Sequence, residues 1–428
     1  MPHDLVHLTA GGVSLVLDCR GAALPAVVHW GAALGPLDEA ALTALADADV
    51  APVAPNEMDE PVRLALLPEP HRGWTGRPGL AGHRDGHDWA PAFTVTAADV
   101  TDTTLTAHAV DTTAGLAVRL TVEMLDSGLV RARAAVTNTA EGVYTVDDLT
   151  VAMPIPSGAR EILDFAGRWG KERTPQRREL VVGTHQREGR KGRTGADAAT
   201  VLTVGEPGFG FANGRVWGVH TAWSGNHRHH AERLSTGRQV VGGGELLLPG
   251  EVRLGRDESY EGPWVYFAHG DGLDDQARRF HRWLRSRPQH PTSPRPVTIN
   301  VWEAVYFEHD LARLVDLAER AAALGVERYV LDDGWFRGRR DDHAGLGDWY
   351  VDEDVCRTAS APWSTASGRS ACSSGCGSSP RWSTRTATSP APTPSGSCRR
   401  TAGCPSGRAT SRCSTSRSPR RTSTCSNA

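Results

Sequence analysis

The chain has 428 residues, of which 39% are hydrophobic and 46 are glycine, so it is long enough for two domains with separate cores. It has no run of 18 apolar residues and no basic, apolar and small-residue leader at MPHDLVHLTA, which predicts a cytoplasmic protein without a membrane partner. The formal net charge of −3 conceals two compositions: residues 1–355 hold 36 Lys and Arg against all 50 acidic residues, whereas residues 356–428 hold 11 Arg and no acid.

Short stretches bounded by turn residues dominate residues 1–287. Examples are GVSLVLD, AFTVTAAD, LAVRLTVEML, GLVRARAAVTN, GRVWGVHTAW and ELLLPGEV. Several alternate with a period of two, as half-buried strands do, and together they predict a large antiparallel β-sandwich, longer than an immunoglobulin-type domain. The stretch DDQARRFHRWLRSR then predicts an amphipathic helix, and the proline-containing residues 288–296 predict a linker.

Two stretches of this region carry side chains that bind ligands in other proteins. Residues 64–89 hold arginines, histidines and tryptophans among glycines and prolines, which are groups that hydrogen-bond to sugars or stack on them. The stretch WSGNHRHHAE places His227, His229 and His230 close together. Their spacings of two and one, without carboxylate or cysteine partners, do not build a closed metal site, so we expect no metal.

Residues 297–349 predict one complete βαβ unit. The apolar stretch VTINVW predicts a strand. His309 and Asp310 then open a helix whose apolar positions recur at helical spacing up to Gly325. The uninterrupted apolar run of Tyr329, Val330 and Leu331 is typical of a parallel strand covered on both faces. A right-handed crossover opens both strand ends onto the same mouth, where an α/β barrel keeps its active site.

Three residues follow these strand ends and predict a sugar site. Trp302 follows the first strand, and Asp332 and Asp333 follow the second. Adjacent carboxylates repel each other and offer four acceptor oxygens, which suits a ligand rich in hydroxyls, and an aromatic ring suits the apolar face of a pyranose. The alternatives are an Asp-Asp-Gly turn that caps the strand and a tryptophan that packs the core.

The segments NVWEAVYF, YVLDDGWF and LGDWYVDEDV, in this order and spacing, resemble the start of the catalytic barrel of glycoside hydrolase family 36, the microbial α-galactosidases. The resemblance implies a β-supersandwich before the barrel, a galactose subsite lined by Trp302, Asp332 and Asp333, and no cofactor. Because sandwich loops of the family contribute to the active-site mouth, Trp74 becomes a fourth substrate-binding candidate. Both catalytic aspartates of the family lie on later strands, so no catalytic residue is assigned here. Intact members are expected to be homo-oligomers.

The composition of the last 73 residues differs abruptly from that of the rest. They contain 19 Ser, 11 Arg and 7 of the 8 cysteines but no Asp, Glu, Lys, Leu, Ile, Phe, Tyr or Met. A disulfide scaffold does not suit a cytoplasmic protein, and a basic tail that binds nucleic acid is a second interpretation. The third is a shifted reading frame in a GC-rich gene. Back-translating CRTASAPWST with GC-rich codons and moving the frame two bases yields PDGLGPLVD, and RCSTSRSPRRTSTCSN can give VLDLAVPEAYEHVLE. Both products resemble the continuation of the family.

The sequence therefore predicts a multidomain β and α/β protein in four segments. They are a β-supersandwich over 1–287, a linker over 288–296, the first units of a (β/α)8 barrel over 297–355 and an out-of-frame, disordered tail over 356–428. The expected ancestral function is hydrolysis of terminal α-galactosides such as raffinose or melibiose with retention, with this chain itself inactive. The alternatives are an α-N-acetylgalactosaminidase, a raffinose-synthase-like transferase and a non-catalytic sugar-binding remnant. We expect no nucleic-acid partner.

Overall fold

The computed structural model describes residues 4–53, 55–56, 59–196, 200–344, 346–347, 349–356 and 373–376. The chain divides into two compact units, Met1–Pro291 (unit 1) and Thr292–Ala428 (unit 2), with the boundary inside the predicted linker. Among the described residues, no helix is both long and apolar enough to cross a membrane.

Unit 1 is built almost entirely from strands. In chain order its elements are β1 Leu5–Ala10, β2 Val13–Asp18, β3 Ala26–Ala32, α1 Glu39–Ala48, β4 Leu80–His83, β5 Thr94–Val100, β6 Thr104–Asp111, β7 Leu116–Met124, β8 Val130–Asn138, β9 Tyr144–Leu149, β10 Val151–Ile155, β11 Glu161–Arg168, β12 Lys171–Glu179, β13 Gly183–Gly189, β14 Leu202–Gly205, β15 Arg215–Thr221, β16 His227–Arg233, β17 Gln239–Glu245, β18 Val252–Leu254, β19 Ser259–Glu261, β20 Val265–Asp271 and α2 Leu273–Ser286. The amphipathic helix predicted from DDQARRFHRWLRSR is confirmed as α2.

The strands in the described residues of unit 1 form four antiparallel sheets. The largest has the strand order β12-β11-β14-β15-β20-β8-β7-β6-β5, with β19 also paired to β8, and a second has the order β10-β17-β16-β13. Two three-stranded sheets, β1-β2-β3 and β18-β9-β4, complete the unit. Along β6 and β7 every second residue is buried, as the period of two predicts, and Leu105, Leu116 and Leu120 lie in one continuous core cluster. The predicted large antiparallel β-domain is confirmed.

One predicted strand does not form as expected. The stretch ELLLPGEV spans the end of β17 and the start of β18, and the residues between them form a connection with a hydrogen bond from the Glu251 amide to the Leu248 carbonyl. Pro249 and Gly250 cause the interruption, because proline lacks an amide donor and Gly250 has a φ of 73°. Leu246 and Leu247 remain buried, which explains why the stretch looks like a strand in sequence.

The described part of unit 2 is a parallel α/β structure. Its elements are β21 Thr298–Asn300, α3 Trp302–Val305, α4 Leu311–Ala323, β22 Arg328–Leu331, α5 Glu353–Cys356 and β23 Ser373–Cys376. The predicted helix is confirmed as α4. The Asp310 side chain caps it by accepting a hydrogen bond from the Arg313 amide at 2.8 Å, and Gly325 follows its end with a φ of 86°.

The three strands of unit 2 form one sheet with the order β21-β22-β23, and both pairings are parallel. Tyr329 and Leu331 of β22 are buried beside Leu314 and Ala318 of α4, so α4 supplies the core on one side of the sheet. The predicted βαβ unit is therefore confirmed. The predicted disorder of residues 356–428 concerns positions outside the described residues, apart from Cys356 and the four that form β23.

Candidate functional site

The site lies where β21 and β22 end. Asn300 is the last residue of β21 and Leu331 is the last of β22, and the two strands pair in parallel. Trp302 and the two aspartates that follow Leu331 therefore lie beyond the same edge of the sheet, as the sequence predicts. Three of the four predicted sugar-binding residues thus lie at one end of one sheet.

Asn300 joins the two sides of this edge. Its Oδ1 accepts a hydrogen bond from the Trp302 amide at 2.8 Å, and its Nδ2 donates a hydrogen bond to Oδ2 of Asp332. One amide side chain thus fixes both the start of α3 and one carboxylate. Among the described residues no donor reaches Oδ1 of Asp332, so this oxygen keeps its capacity to accept a hydrogen bond from a ligand.

Asp333 is bound far more tightly by the protein. Nε of Arg339 donates to both carboxylate oxygens at 3.0 Å, and Nη2 of Arg339 donates to Oδ2 at 2.8 Å. The Gly334 amide adds a hydrogen bond to Oδ1 at 2.8 Å. Burial raises the pKa of Asp333, but the hydrogen bonds and charge of Arg339 outweigh it and hold the pKa below the usual value of an aspartate. Asp333 is therefore ionised and fixed in orientation.

Trp302 lies in an aromatic cluster. Its ring meets Tyr306 and Phe307 edge-on, with centroids 5.1 and 5.0 Å away. The Trp302 side chain is half-buried, so part of it stays accessible to a ligand. In an edge-on contact the partially positive edge of one ring meets the partially negative face of the other. These contacts hold the indole in one orientation.

The structure adds two residues that sequence reasoning missed, Asn300 and Arg339. Asn300 lies inside the predicted first strand, and its position at a strand end two residues before Trp302 is the signal that could have found it. Arg339 lies in a loop of arginines and aspartates without periodicity, and no sequence signal separates it from its neighbour Arg340. In the structure the two differ, because Arg339 is buried against Asp333 whereas Arg340 is exposed.

Trp74, the fourth sugar-binding candidate, belongs to unit 1. It is 4% exposed, and its indole Nε1 donates a hydrogen bond to the Arg77 carbonyl at 2.9 Å. It packs with Leu64, Ala152 and Val240 in a small core cluster. A ring enclosed in this way offers no open face to a sugar in the described chain, and it holds the irregular loop between β3 and β4 in place.

The three histidines of β16 are interior residues. His227, His229 and His230 are all buried, and Nε2 of His229 accepts a hydrogen bond from the Thr221 amide at 2.8 Å. Burial holds the pKa of His229 well below its usual value, so this side chain is neutral. Within the part of the chain that the structure describes, no group of three or more His, Cys, Asp or Glu residues could hold a metal ion.

Family models match most of the chain. The glycosyl hydrolase family 36 N-terminal domain matches residues 23–255, which lie in unit 1, and the melibiase model matches residues 259–362. The second match contains β21, β22 and the site residues between Asn300 and Arg339.

Two proteins of similar sequence are named alpha-galactosidases. The alpha-galactosidase of Escherichia coli is 40% identical over 335 residues, which are 76% of this chain and 46% of the relative. The alpha-galactosidase AgaA of Geobacillus stearothermophilus is 33% identical over 214 residues, which are 47% of this chain and 28% of the relative. The chain thus spans less than half the length of these two relatives.

Solved structures share the fold. A variant of AgaA from Geobacillus stearothermophilus, in complex with 1-deoxygalactonojirimycin, matches with a TM-score of 0.76 at 23% identity over 87% of this chain and 56% of that one. A further AgaA variant, in complex with raffinose, matches with a TM-score of 0.75 at 23% identity over the same shares of the two chains. Because the family 36 N-terminal model alone spans more than half of the sequence, the chain belongs to glycosyl hydrolase family 36.

Proposed function

We propose that Trp302, Asp332 and Asp333 form the galactose subsite of a glycosidase that hydrolyses terminal α-galactosides. The observation that carries the proposal is their position beyond the carboxyl ends of two paired parallel strands, with a half-buried indole after β21 and two carboxylates after β22. Charged acceptors bind sugar hydroxyls more strongly than neutral ones, and their fixed directions distinguish one epimer from another. An indole supplies the apolar surface that the sugar ring needs.

The substrates that we propose are α-galactosides such as raffinose and melibiose. Proteins of similar sequence are named alpha-galactosidases, and the structural neighbour AgaA has been solved with raffinose and with stachyose. We further propose a cytoplasmic location, and a homo-oligomer for the protein with its reading frame intact. Trp74 has a structural role, because its ring is enclosed.

Hydrolysis with retention needs a second pair of carboxyl groups. One attacks the anomeric carbon and the other protonates the leaving oxygen, and retention requires them to be roughly 5 Å apart. Asp332 and Asp333 are adjacent in the chain, and Arg339 occupies both oxygens of Asp333, so we do not assign them as the catalytic pair. We propose that the nucleophile and the acid/base belong to the reading frame that is lost after Val355.

A non-catalytic sugar-binding role is the second candidate for the chain as it stands. The observation that favours it is the sequence after Val355, which contains no Asp or Glu to serve as nucleophile or acid/base. A subsite can bind a sugar weakly without the catalytic pair. A related activity, α-N-acetylgalactosaminidase or raffinose-synthase-like transfer, depends on residues beyond the subsite.

The test compares two proteins: the 428-residue chain and a version in which the reading frame after Val355 is restored. We expect the restored protein to release p-nitrophenol from p-nitrophenyl α-galactoside and the 428-residue chain to release none above a mock preparation. The matched p-nitrophenyl α-glucoside controls for specificity. Hydrolysis by the 428-residue chain would contradict the assignment of the catalytic pair, and an inactive restored protein that binds no galactose would contradict the galactosidase function.

A further inference from the structure

Arg339 is the most enclosed charged side chain in unit 2 among the described residues, with 7% exposure. Its Nε and Nη2 form a bidentate pair with Asp333, and its Nη1 donates a hydrogen bond to the Ala344 carbonyl at 3.1 Å. All three guanidinium nitrogens therefore have acceptors. A guanidinium held in this way cannot rotate without breaking several charge-assisted hydrogen bonds.

Arg339 also touches the aromatic side of the subsite. Its guanidinium carbon lies 5.6 Å from the centroid of the Phe307 ring, and Phe307 meets Trp302 edge-on. A β-carbon added at Gly334 would come within 3.0 Å of Phe307, so the backbone after the two aspartates passes directly against this ring. One side chain thus contacts the carboxylate that follows β22 and the ring that supports the indole after β21.

We propose that Arg339 is the positioning residue of the galactose subsite. It holds Asp333 in one orientation and fixes the Phe307 ring beneath Trp302, so that the indole and the carboxylates keep one spacing before any sugar binds. The inference rests on the proposed subsite and deepens it. A site whose groups are fixed before binding avoids the entropic cost of ordering them at the moment of binding.

The two aspartates then differ in their tasks. Both oxygens of Asp333 accept hydrogen bonds from Arg339, and one accepts a further bond from the Gly334 amide, so Asp333 keeps little capacity for a ligand. Asn300 donates to one oxygen of Asp332, and within the described part of the chain the second oxygen has no donor. Asp332 is thus the principal acceptor for a sugar hydroxyl, and Asp333 contributes a fixed negative charge beside it.

The charged groups around Asp333 allow a test by pH. Arg339 and His309 face Asp333, and Arg340, Asp341 and Asp342 lie around these two partners. Removing the Arg339 charge leaves burial as the main influence, so the pKa of Asp333 rises. The carboxylate is then lost at a higher pH than in the natural chain, and with it the galactoside affinity at acidic pH.

The experiment uses the 428-residue chain and three variants: Arg339→Gln, Arg339→Lys and the matched control Arg320→Gln. Arg320 forms an exposed ion pair with Asp316 at 3.0 Å on α4, in the same unit and with the same chemistry. The titration of Asp333 is followed by carbon-13 NMR of labelled aspartate, assigned with Asp333→Asn. Binding of methyl α-D-galactopyranoside is measured by ligand-observed NMR between pH 4.5 and 7.5.

We expect Arg339→Gln to raise the titration midpoint of Asp333 and to weaken galactoside binding at least about tenfold at pH 5, with a smaller loss at pH 7. Arg339→Lys keeps the positive charge but cannot form the bidentate hydrogen bonds to Asp333. It should therefore weaken galactoside binding at both pH values, with little change in the titration midpoint of Asp333. Arg320→Gln should behave as the natural chain does.

Two results would overturn the proposal. One is an unchanged Asp333 midpoint in Arg339→Gln. The other is a loss of affinity in Arg339→Gln that is the same at every pH, since a merely structural defect would give that pattern. If the midpoint moves as expected but the natural chain binds no galactoside, the proposed subsite fails in this chain while the coupling of Arg339 to Asp333 stands.

Discussion

Substituting the two adjacent aspartates by asparagine should have different consequences, although both variants lose the same charge. In a frame-restored protein, Asp332→Asn and Asp333→Asn should each lower the turnover of an α-galactoside by at least about tenfold. At Asp332 the variant loses a charge-assisted hydrogen bond to a sugar hydroxyl, which costs about 1.5 to 3 kcal/mol or roughly 10- to 150-fold. At Asp333, whose oxygens accept hydrogen bonds from Arg339 and the Gly334 amide, the variant loses the fixed negative charge beside that acceptor.

Their effects on stability should separate them. Asp333 has three contacts of 2.8 to 3.0 Å with Arg339, which is 7% exposed, so Asp333→Asn leaves a buried guanidinium without its counter-ion. We expect this variant to lower the free energy of unfolding by about 1 to 3 kcal/mol. An asparagine at position 332 can still accept the hydrogen bond from Asn300, so Asp332→Asn should change stability by less than about 0.5 kcal/mol.

The assay combines steady-state kinetics on p-nitrophenyl α-galactoside with urea unfolding of the same preparations. The matched control is Asp316→Asn on α4, whose exposed ion pair with Arg320 should affect neither measurement. Equal stability losses in Asp332→Asn and Asp333→Asn would refute the distinction between them. Unchanged kinetics in Asp332→Asn would refute its role as the principal hydroxyl acceptor.

Three further outcomes follow from the structure. In the frame-restored protein, Trp302→Ala should lower galactoside turnover by about the same factor as the aspartate variants. Trp302→Phe should keep part of the turnover that Trp302→Ala loses, and steady-state kinetics would measure both. Leu120→Ala should lower the free energy of unfolding in urea by about 2 to 5 kcal/mol, because Leu120 is fully buried in the large core cluster of unit 1. Burial raises the pKa of Glu69 from 4.5 to about 7, despite a hydrogen bond from the Phe93 amide. Between these two pH values the folded protein therefore keeps a proton on Glu69 that the unfolded chain has lost. Stability from this group is therefore full below the unfolded pKa near 4.5 and lost as pH rises towards 7, and Glu69→Gln should flatten that part of the pH profile.

The sequence predicts the elements whose signals are local. Alternation along β6 and β7 follows from how strands bury one face. The apolar run Tyr329–Leu331 predicts β22 correctly but not its burial on both faces, because Val330 stays partly exposed. The sequence predicts both ends of helix α4, because Asp310 caps its start and Gly325 follows its end. These local signals also fix the strand ends, and hence the positions of Trp302, Asp332 and Asp333.

What sequence reasoning missed depends on contacts between distant residues. Trp74 looks like a sugar-binding aromatic in a polar loop, and only packing against Leu64 and Val240 shows that it is enclosed. Arg339 is one of several arginines in its loop, and only the fold of residues 334–344 brings it onto Asp333. Composition and periodicity carry no information about such pairings, because they arise from loop conformation.

The third strand of unit 2 has a consequence for how the protein behaves during synthesis. Ser373–Cys376 has the sequence SSGC, which contains no large apolar residue, yet it pairs in parallel with β22 over four residues. An edge that accepts such a segment selects its partner through main-chain hydrogen bonds, which any extended peptide can supply. We expect the same edge to pair also with an extended strand of another polypeptide. Pairing between molecules should then compete with pairing inside one molecule during synthesis, so we expect a slower expression rate to raise the soluble fraction.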